Sequence, residues 1–145
     1  MTAVTRTENV EMLRAVGADA VVDYLKTDFT RGTERYDIIF DVSGLEGVGA
    51  LRRTLKPGGT LVVVGGRGGF GRLLQAGLRR RVLRQRVWGL LARPNAEDLA
   101  KLGSLVAQGK LRPVIDHVYL LPEAPEAMAR AELRQARGKL VIHVS

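Results

Sequence analysis

A glycine-rich segment, Gly66–Gly71, has the residue types and spacing of a phosphate-binding loop. It reads Gly-x-Gly-x-x-Gly and directly follows an apolar run that predicts a strand. In that pattern, backbone amides and a helix N-terminus surround a pyrophosphate. The pattern also requires an acidic residue about 20 positions later, but Arg84, Gln85 and Arg86 stand there. We therefore interpret the segment as a connection near a ligand and not as the pyrophosphate site itself.

Small, polar and glycine residues follow several predicted strands. They are Thr5–Thr7, Asp23–Tyr24, Asp41–Gly44 and Gly65–Gly66. Open parallel sheets bind ligands beyond the carboxyl ends of their strands. Turns and helix caps use the same residue types whatever the function. No single one of these turns predicts a ligand site. Their occurrence together, after several strands of one parallel sheet, predicts a ligand-binding edge.

The sequence contains no recognisable catalytic group. It has no cysteine and only two histidines, His117 and His143. A thiolate zinc site and a cysteine nucleophile are thereby excluded, as is a site of several histidines. We find no paired carboxylates, nucleophile elbow or P-loop, and His117 has no partner in a triad. We expect no zinc in this chain and interpret His117 as structural.

The chain of 145 residues is basic, with 23 Lys and Arg against 15 Asp and Glu and a net charge of +8. A basic surface attracts the phosphates of nucleic acids or dinucleotides. A compositional bias toward Arg, Ala, Gly and Leu is the simpler explanation. The arginines concentrate between Arg72 and Arg86 without interleaved aromatic residues on which bases could stack. We interpret that run as the solvated face of an amphipathic helix and do not expect a nucleic-acid partner.

Apolar runs such as Leu61–Val64 are too short to span a bilayer. The first residues lack the basic and then apolar layout of a signal peptide. We expect no membrane partner and a cytoplasmic location.

Apolar segments with strand character alternate with segments of helical periodicity along the chain. The strands are predicted at Thr2–Val4, Ala20–Tyr24, Tyr36–Val42, Thr60–Gly65, His117–Leu121 and Lys139–Val144; the helices are predicted at Glu8–Val16, Glu46–Leu55, after Asn95 to Gln108, and from Pro122 to Leu133. In the third helix, Leu99, Leu102, Leu105 and Val106 share the face that we expect to be buried. Such alternation predicts an α/β fold with a doubly wound parallel sheet in a single domain, 1–145.

The order of these segments resembles the quinone oxidoreductase-like branch of the medium-chain dehydrogenase/reductases. The residues that carry the resemblance are Asn9–Glu11, Gly17–Asp19, Val22–Tyr24, Phe40–Gly44, Leu55–Val62 and, most specifically, Gly109–Asp116, Pro125–Ala127 and Ala136–Val141. The resemblance covers essentially the whole chain. It implies a Rossmann-type domain with a C-terminal strand-helix-strand tail. It also implies an NAD(P)H-dependent oxidoreductase that transfers a hydride between nicotinamide and a small carbonyl, enone, quinone or alcohol.

The resemblance also implies which residues contact the cofactor. They are Arg6, Thr7 and Tyr24 at the adenosine end, Val42, Ser43 and Gly44 beside the adenine and ribose, Gly65 and Gly66 beside the nicotinamide, and Arg134, or Arg137, at the 2′-phosphate. No acidic residue stands between Thr2 and Thr7 to bond a ribose 2′-hydroxyl. NADPH is therefore the expected cofactor, with NADH as the alternative, although Glu8 stands where family members often have a basic residue. Members commonly form homodimers by pairing late strands, here near Val87–Leu91.

In one respect the chain departs from the family. A complete member has an N-terminal catalytic domain and a first Rossmann strand before the point that matches Met1. In the order 3-2-1-4-5-6 that strand is central. Its neighbours here, Thr2–Thr5 and Tyr36–Asp41, would then have unpaired inner edges or would pair with each other. We expect this chain to be an incomplete cofactor-binding domain that lacks the first strand and the catalytic domain.

Two other functions are compatible with the sequence. Tyr36–Asp41 with Leu55–Leu61 also resembles the later strands of class I S-adenosylmethionine-dependent methyltransferases. That family needs an early acidic-Gly-x-Gly loop, and residues 1–35 contain only Gly17 and Gly32 as glycines. The other alternative is a non-catalytic fragment that binds a nucleotide or nucleic acid.

Overall fold

The structure, a computed structural model, describes residues 1–64, 85–91, 93–133 and 135–144. Contacts divide the chain into two compact units. Unit one comprises Met1–Val10 and Ala18–Arg93, and unit two comprises Glu11–Gly17 and Pro94–Ser145. The single domain expected from the sequence stays a prediction, and each unit is described by itself.

Unit one begins with a two-stranded parallel sheet. Strand β1 (Thr2–Thr5) pairs in register with β2 (Ala20–Asp23), so that Thr2 lies opposite Ala20. Between them in sequence the chain forms a 3₁₀ turn at Thr7–Asn9 and helix α1 (Val10–Ala15), which belongs to unit two from Glu11 onward. The helix is followed by Gly17, whose φ of 102° is a left-handed conformation that favours glycine. The helix and strand predicted here are confirmed.

A three-stranded parallel sheet forms the rest of unit one. Its order is β3 (Tyr36–Asp41), β4 (Leu55–Val64) and β5 (Arg86–Leu90). Strand β4 begins earlier than the predicted Thr60, since Leu55 already pairs with Tyr36. The register then shifts, and Thr60 pairs with Ile38. Lys56–Gly59 therefore form a bulge, in which Gly58 has a φ of 82°.

The core of unit one lies between β4 and helix α2 (Val48–Arg53). Its buried side chains are Val48, Leu51, Leu55, Leu61 and Val63, with Phe29, Ile39 and Val87 packed against them. Helix α2 is shorter than the predicted Glu46–Leu55, because Gly47 is its N-cap and Leu55 already belongs to β4. The core is thus built on the strand that has a neighbour on each side.

A polar contact within this core joins α2 to the start of β5. Arg52 and Gln85 are both buried. The Arg52 Nε donates to Gln85 Oε1 at 3.2 Å, and Gln85 Nε2 donates to the carbonyl oxygens of Arg52 at 3.0 Å and Leu55 at 3.4 Å. Because buried polar groups are costly without partners, these bonds fix the chain just before β5.

The parallel α/β fold is confirmed, and no strand of the described residues occupies the central position. Taken in the order 3-2-1-4-5-6, the pairs β2-β1 and β3-β4-β5 supply every position of the sheet except the first. Among the described residues, β1 and β3 belong to separate sheets. We call the edge of β1 away from β2, together with the edge of β3 away from β4, the inner edges. Of the two outcomes expected from the sequence, unpaired inner edges are the one observed.

Unit two contains helix α3 (Ala96–Ala107), which begins as predicted at Asn95. The Asn95 side chain accepts a hydrogen bond from the Asp98 amide at 2.8 Å. The predicted burial of its apolar face is wrong. Leu99, Leu102, Leu105 and Val106 are 63%, 48%, 37% and 41% exposed, and no residue of the helix is buried. Amphipathic periodicity places these residues on one face, but a face is buried only where another element packs against it.

The C-terminal strand-helix-strand tail of unit two is confirmed. Strand β6 (Ile115–Leu120) pairs in parallel with β7 (Lys139–His143), and helix α4 (Ala124–Glu132) connects them. Arg130 of the helix bonds Asp116 Oδ2 at 2.9 Å and the hydroxyl of the buried Tyr119 at 3.4 Å. A Cβ atom on Gly138 would lie 2.5 Å from the carbonyl oxygen of Val114, so glycine is required at that close approach.

Candidate functional site

Four side chains meet where β1 and β2 end, and we call them the β1–β2 cluster: Arg6, Thr7, Asp23 and Tyr24. The Tyr24 amide donates to the Thr5 carbonyl at 3.0 Å, which continues the ladder one residue beyond the strands. Arg6 Nε then donates to the Tyr24 hydroxyl at 2.8 Å, and Thr7 Oγ1 donates to Asp23 Oδ2 at 2.6 Å. The structure thus brings together the three residues that were predicted at the adenosine end.

The charges of this cluster are fixed by its hydrogen bonds. The bond to Tyr24 raises the pKa of Arg6, whose guanidinium is cationic in any case. The Thr7 hydroxyl lowers the pKa of Asp23, assisted by the Leu25 amide and by Lys26. The Arg6 side chain is 53% exposed and its Nη1 lies 3.9 Å from Glu8 Oε1. Tyr24 contacts Arg6 through Nε. The exposed guanidinium of Arg6 is therefore held in place just beyond β1.

The turn after β3 is a second polar region and contains the predicted residues Val42, Ser43 and Gly44. Asp41 at the end of the strand is buried, and its Oδ1 accepts a hydrogen bond from the Gly44 amide at 2.9 Å. The Ser43 hydroxyl accepts from the Leu45 amide at 3.4 Å. Gly44 has a φ of 65°, which residues other than glycine rarely adopt. The turn therefore exposes backbone and small side chains.

The predicted site residues divide into those the structure describes and those it does not. Arg6, Thr7 and Tyr24 lie together after β1 and β2, and Val42, Ser43 and Gly44 lie together after β3. Gly65, Gly66 and Arg134 lie outside the described residues, as do the Gly66–Gly71 motif and most of the arginine run. The alternative to Arg134, Arg137, donates its amide to Asp116 Oδ2 at 3.1 Å in unit two.

Two carboxylates that organise these turns were not among the predicted contacts. Asp23 holds Thr7, and Asp41 holds the amide of Gly44. A signal for both was present, because Asp at the end of a strand commonly bonds an amide two or three residues onward. Their side chains accept hydrogen bonds inside the turn, so they act as positioning residues.

Neither a metal cluster nor a membrane helix occurs in the part of the chain that the structure describes. No three residues of the types His, Asp or Glu gather there as metal ligands. None of the helices described is long and apolar enough to cross a bilayer. The cytoplasmic location stays a prediction.

Parallel strands joined by helices, with polar turns at their carboxyl ends, define a Rossmann-type nucleotide-binding fold. A profile of the family described as "Zinc-binding dehydrogenase" matches residues 16–142. The chain therefore belongs to this family, as its resemblance to the medium-chain dehydrogenase/reductases implies.

The similar curated proteins include a reductase and an oxidoreductase. The chain is 30% identical over 143 residues to 2-methylene-furan-3-one reductase of Solanum lycopersicum, covering 97% of this chain and 32% of that protein. It is 27% identical over 143 residues to the chloroplastic NADPH-dependent alkenal/one oxidoreductase of Arabidopsis thaliana, covering 97% and 33%. The chain thus spans about a third of the length of these curated relatives.

A solved structure agrees with the fold. The quinone oxidoreductase from Coxiella burnetii superposes with a TM-score of 0.80 at 31% identity. The match covers 99% of this chain and 44% of that one. The whole chain is therefore similar to less than half of a quinone oxidoreductase.

Proposed function

We propose that this chain is the cofactor-binding part of an NADPH-dependent oxidoreductase that transfers a hydride between nicotinamide and a small carbonyl, enone, quinone or alcohol. The family, and the names of the relatives similar to nearly all of the chain, support this reaction class. The observation that carries the proposal is the fixed, exposed guanidinium of Arg6 after β1, bonded to Tyr24. The family match also favours this function over a methyltransferase.

The β1–β2 cluster suits the phosphate-bearing end of NADPH. Tyr24 uses Nε of Arg6, so the remaining N–H groups can donate to phosphate oxygens, and a fixed guanidinium loses less side-chain entropy on binding. Thr7 and Asp23 position the backbone that carries Arg6. When bound, the cofactor supplies the hydride; the chain's own residues bind it and orient it.

The preference for NADPH over NADH follows from charge. No carboxylate lies in residues 2–7, so no acidic side chain there bonds a 2′-hydroxyl or repels a 2′-phosphate. Glu8 works against the preference, because its carboxylate lies 3.9 Å from Arg6 and would face the added phosphate. The adenine and ribose would lie against Val42, Ser43 and Gly44. As the family resemblance implies, the nicotinamide would lie beside Gly65 and Gly66, and the 2′-phosphate would contact Arg134.

A zinc ion does not fit the described part of this chain. The family's description refers to zinc, but the sequence has no cysteine, and no cluster of three ligands is present among the described residues.

Titration with nucleotides tests the proposal. We expect NADPH to bind the chain more tightly than NADH and S-adenosylmethionine not to bind. Replacing Arg6 by Gln should weaken NADPH binding by about tenfold, the value of one charge-assisted hydrogen bond, and leave NADH binding nearly unchanged. Calorimetry or quenching of Trp88 fluorescence would measure the affinity for NADPH and the affinity for NADH.

Arg14→Gln is the matched control. Arg14 is similarly exposed and bonds Glu11 on helix α1, outside the β1–β2 cluster. An equal loss of NADPH affinity in both variants, or equal affinity of the wild-type chain for NADPH and NADH, would contradict the cofactor assignment. Saturable binding of S-adenosylmethionine would contradict the reaction class.

We also propose a homodimer that forms through β5. Within the described sheet, β5 is an edge strand, and its Trp88 and Leu90 are 63% and 50% exposed. Pairing of two copies about a two-fold axis would extend the sheet and cover these side chains. Trp88 is the sole tryptophan, so the fluorescence of the chain reports on this strand. Because dimerisation would bury its side chain, the emission should shift to the blue as the protein concentration rises.

Trp88→Glu should give a monomer in light scattering, whereas Leu111→Glu, at an exposed apolar position of unit two, should leave the mass unchanged. A monomeric wild-type chain at high concentration would contradict the dimer.

A further inference from the structure

The side chain of Glu8 lies close to the guanidinium of Arg6. Its Oε1 atom is 3.9 Å from Nη1 of Arg6, and the side chain of Glu8 is 43% exposed. The hydroxyl of Tyr24 accepts a hydrogen bond from Nε of the same guanidinium at 2.8 Å. The cation of Arg6 therefore has a hydroxyl and a carboxylate as neighbours within the candidate site.

A short turn fixes the backbone of Glu8 relative to Arg6. The 3₁₀ turn Thr7–Asn9 follows Arg6 directly, and the Asn9 amide donates to the Arg6 carbonyl oxygen at 3.1 Å. The Thr7 hydroxyl donates to Asp23 at 2.6 Å, which ties the same turn to the end of β2. The carboxylate of Glu8 is therefore a fixed part of the surroundings of Arg6 and not a distant surface charge.

A carboxylate at this position opposes the binding of a phosphate. A phosphate monoester carries about −1.5 to −2 charges near pH 7. It is attracted by the guanidinium of Arg6 and repelled by the carboxylate of Glu8, because charges a few ångströms apart interact even in contact with water. The formal charges of Arg6 and Glu8 sum to zero, so Glu8 removes much of the attraction that Arg6 alone would provide.

We propose that Glu8 is a specificity-determining residue, because its carboxylate competes with the 2′-phosphate of NADPH for Arg6. The competition limits how strongly the site discriminates between NADPH and NADH. NADH has a 2′-hydroxyl in place of the phosphate, so its binding depends far less on the charge of Arg6. This inference rests on the proposed function, since it concerns the same nucleotide site.

Stabilisation of the fold is the alternative role for Glu8. Acidic side chains are favourable at the beginning of helices, and Glu8 lies in the 3₁₀ turn that leads into α1. A role of that kind changes the stability of the chain, and it changes the affinities for NADPH and NADH by the same factor. The ratio of the two affinities therefore separates specificity from stabilisation.

Nucleotide titration of the full chain and of Glu8→Gln tests the proposal. We expect Glu8→Gln to tighten NADPH binding by about fivefold, the upper end for an exposed charge pair, and to change NADH binding by less than about twofold. Adenosine 2′,5′-bisphosphate and adenosine 5′-monophosphate differ only in the 2′-phosphate, and the ratio of their affinities should change in the same way. Calorimetry would measure all four affinities in each protein.

Glu11→Gln is the matched control. Glu11 is exposed and pairs with Arg14 at 2.7 Å on α1, outside the β1–β2 cluster. Its replacement makes the same change in the net charge of the chain, and the ratio of NADPH to NADH affinity should stay that of the wild type. Circular dichroism would verify the fold of each variant.

A double variant tests whether Arg6 is the group for which Glu8 competes. In the Arg6→Gln background the cation is absent, so Glu8→Gln should raise the affinity for NADPH by less than about twofold. The difference between this gain and the fivefold gain in the wild-type background measures the coupling between the two side chains.

Four results would overturn the proposal. The first is an unchanged NADPH affinity in Glu8→Gln although Arg6→Gln weakens NADPH binding, which would leave the cofactor assignment intact. The second is an equal gain in Glu8→Gln and Glu11→Gln, which would identify the net charge of the chain as the cause. The third is a gain of the same size with and without Arg6, which would mean that Glu8 repels the phosphate directly. The fourth is no preference for NADPH in any of these proteins, which would contradict the cofactor assignment together with this inference.

Discussion

The two sheets of unit one differ in burial although both are parallel. In the β3–β4–β5 sheet, β4 has a strand on each side and α2 against it, and Leu61 is fully buried. In the β1–β2 sheet no strand residue is buried, and the side chains that make specific contacts lie at or just beyond the strand ends. One sheet therefore contributes most of the buried packing, while the other carries the charged candidate binding group, Arg6.

Truncation of Leu61 should have the largest effect on stability. Leu61→Ala removes a fully buried side chain from the centre of the core, and we expect a loss of about 2–5 kcal/mol in the free energy of unfolding. Val4→Ala in β1 should cost only about 1 kcal/mol, because that side chain is partly exposed. Chemical denaturation would measure the loss of unfolding free energy in each variant. Equal losses would show that the β1–β2 sheet contributes as much packing as the larger sheet.

Loss of the Gln85 side chain should have the next largest effect. Gln85→Ala removes three hydrogen bonds within the larger sheet and its helix and deprives the buried Arg52 of a partner. We expect a loss of about 2–3 kcal/mol in the free energy of unfolding. Gln108→Ala is the control, since the side chain of the exposed Gln108 donates to the Ser104 hydroxyl at the C-terminal end of α3. An effect no larger than that of the control would mean that water replaces Gln85 at no cost.

Elements with strong local signals could be predicted from the sequence. Asn95 before a segment of helical periodicity marked the start of α3, and the apolar run at Leu61–Val64 marked β4. The polar ends of β1 and β2 were also predictable, because parallel strands bring consecutive carboxyl ends to one edge. Each of these features depends on residues that are close in sequence or on a general rule of topology.

Features that depend on packing partners could not be predicted. The periodicity of Leu99, Leu102 and Leu105 is correct for a buried face, yet it carries no information on which element covers that face. The bonds between Arg52 and Gln85 join residues 33 positions apart, and no local pattern relates them. The bulge at Lys56–Gly59 likewise arises from pairing with β3, which fixes both Leu55 and Thr60.

The smallest predicted effect concerns the β1–β2 cluster and depends on pH. Hydrogen bonding from Thr7 lowers the pKa of Asp23 in the folded state. A group with a lowered folded pKa stabilises the fold above its unfolded pKa of about 4, and the contribution disappears as the pH falls through the folded value. Thr7→Val removes the donor, so the pKa of Asp23 should rise toward its ordinary value. The stability of the variant should then depend less on pH below about 4.

Carboxyl shifts from NMR titration would measure this pKa directly. Thr30→Val is the matched control, because Thr30 donates in the same way to Asp28 outside the cluster, and its loss should raise the pKa of Asp28 alone. An unchanged pKa of Asp23 in Thr7→Val would show that the Leu25 amide and Lys26 hold the carboxylate without the hydroxyl. The Thr7 hydroxyl would then contribute little to the charge of Asp23, and the bond to Tyr24 would remain as the contact that holds Arg6.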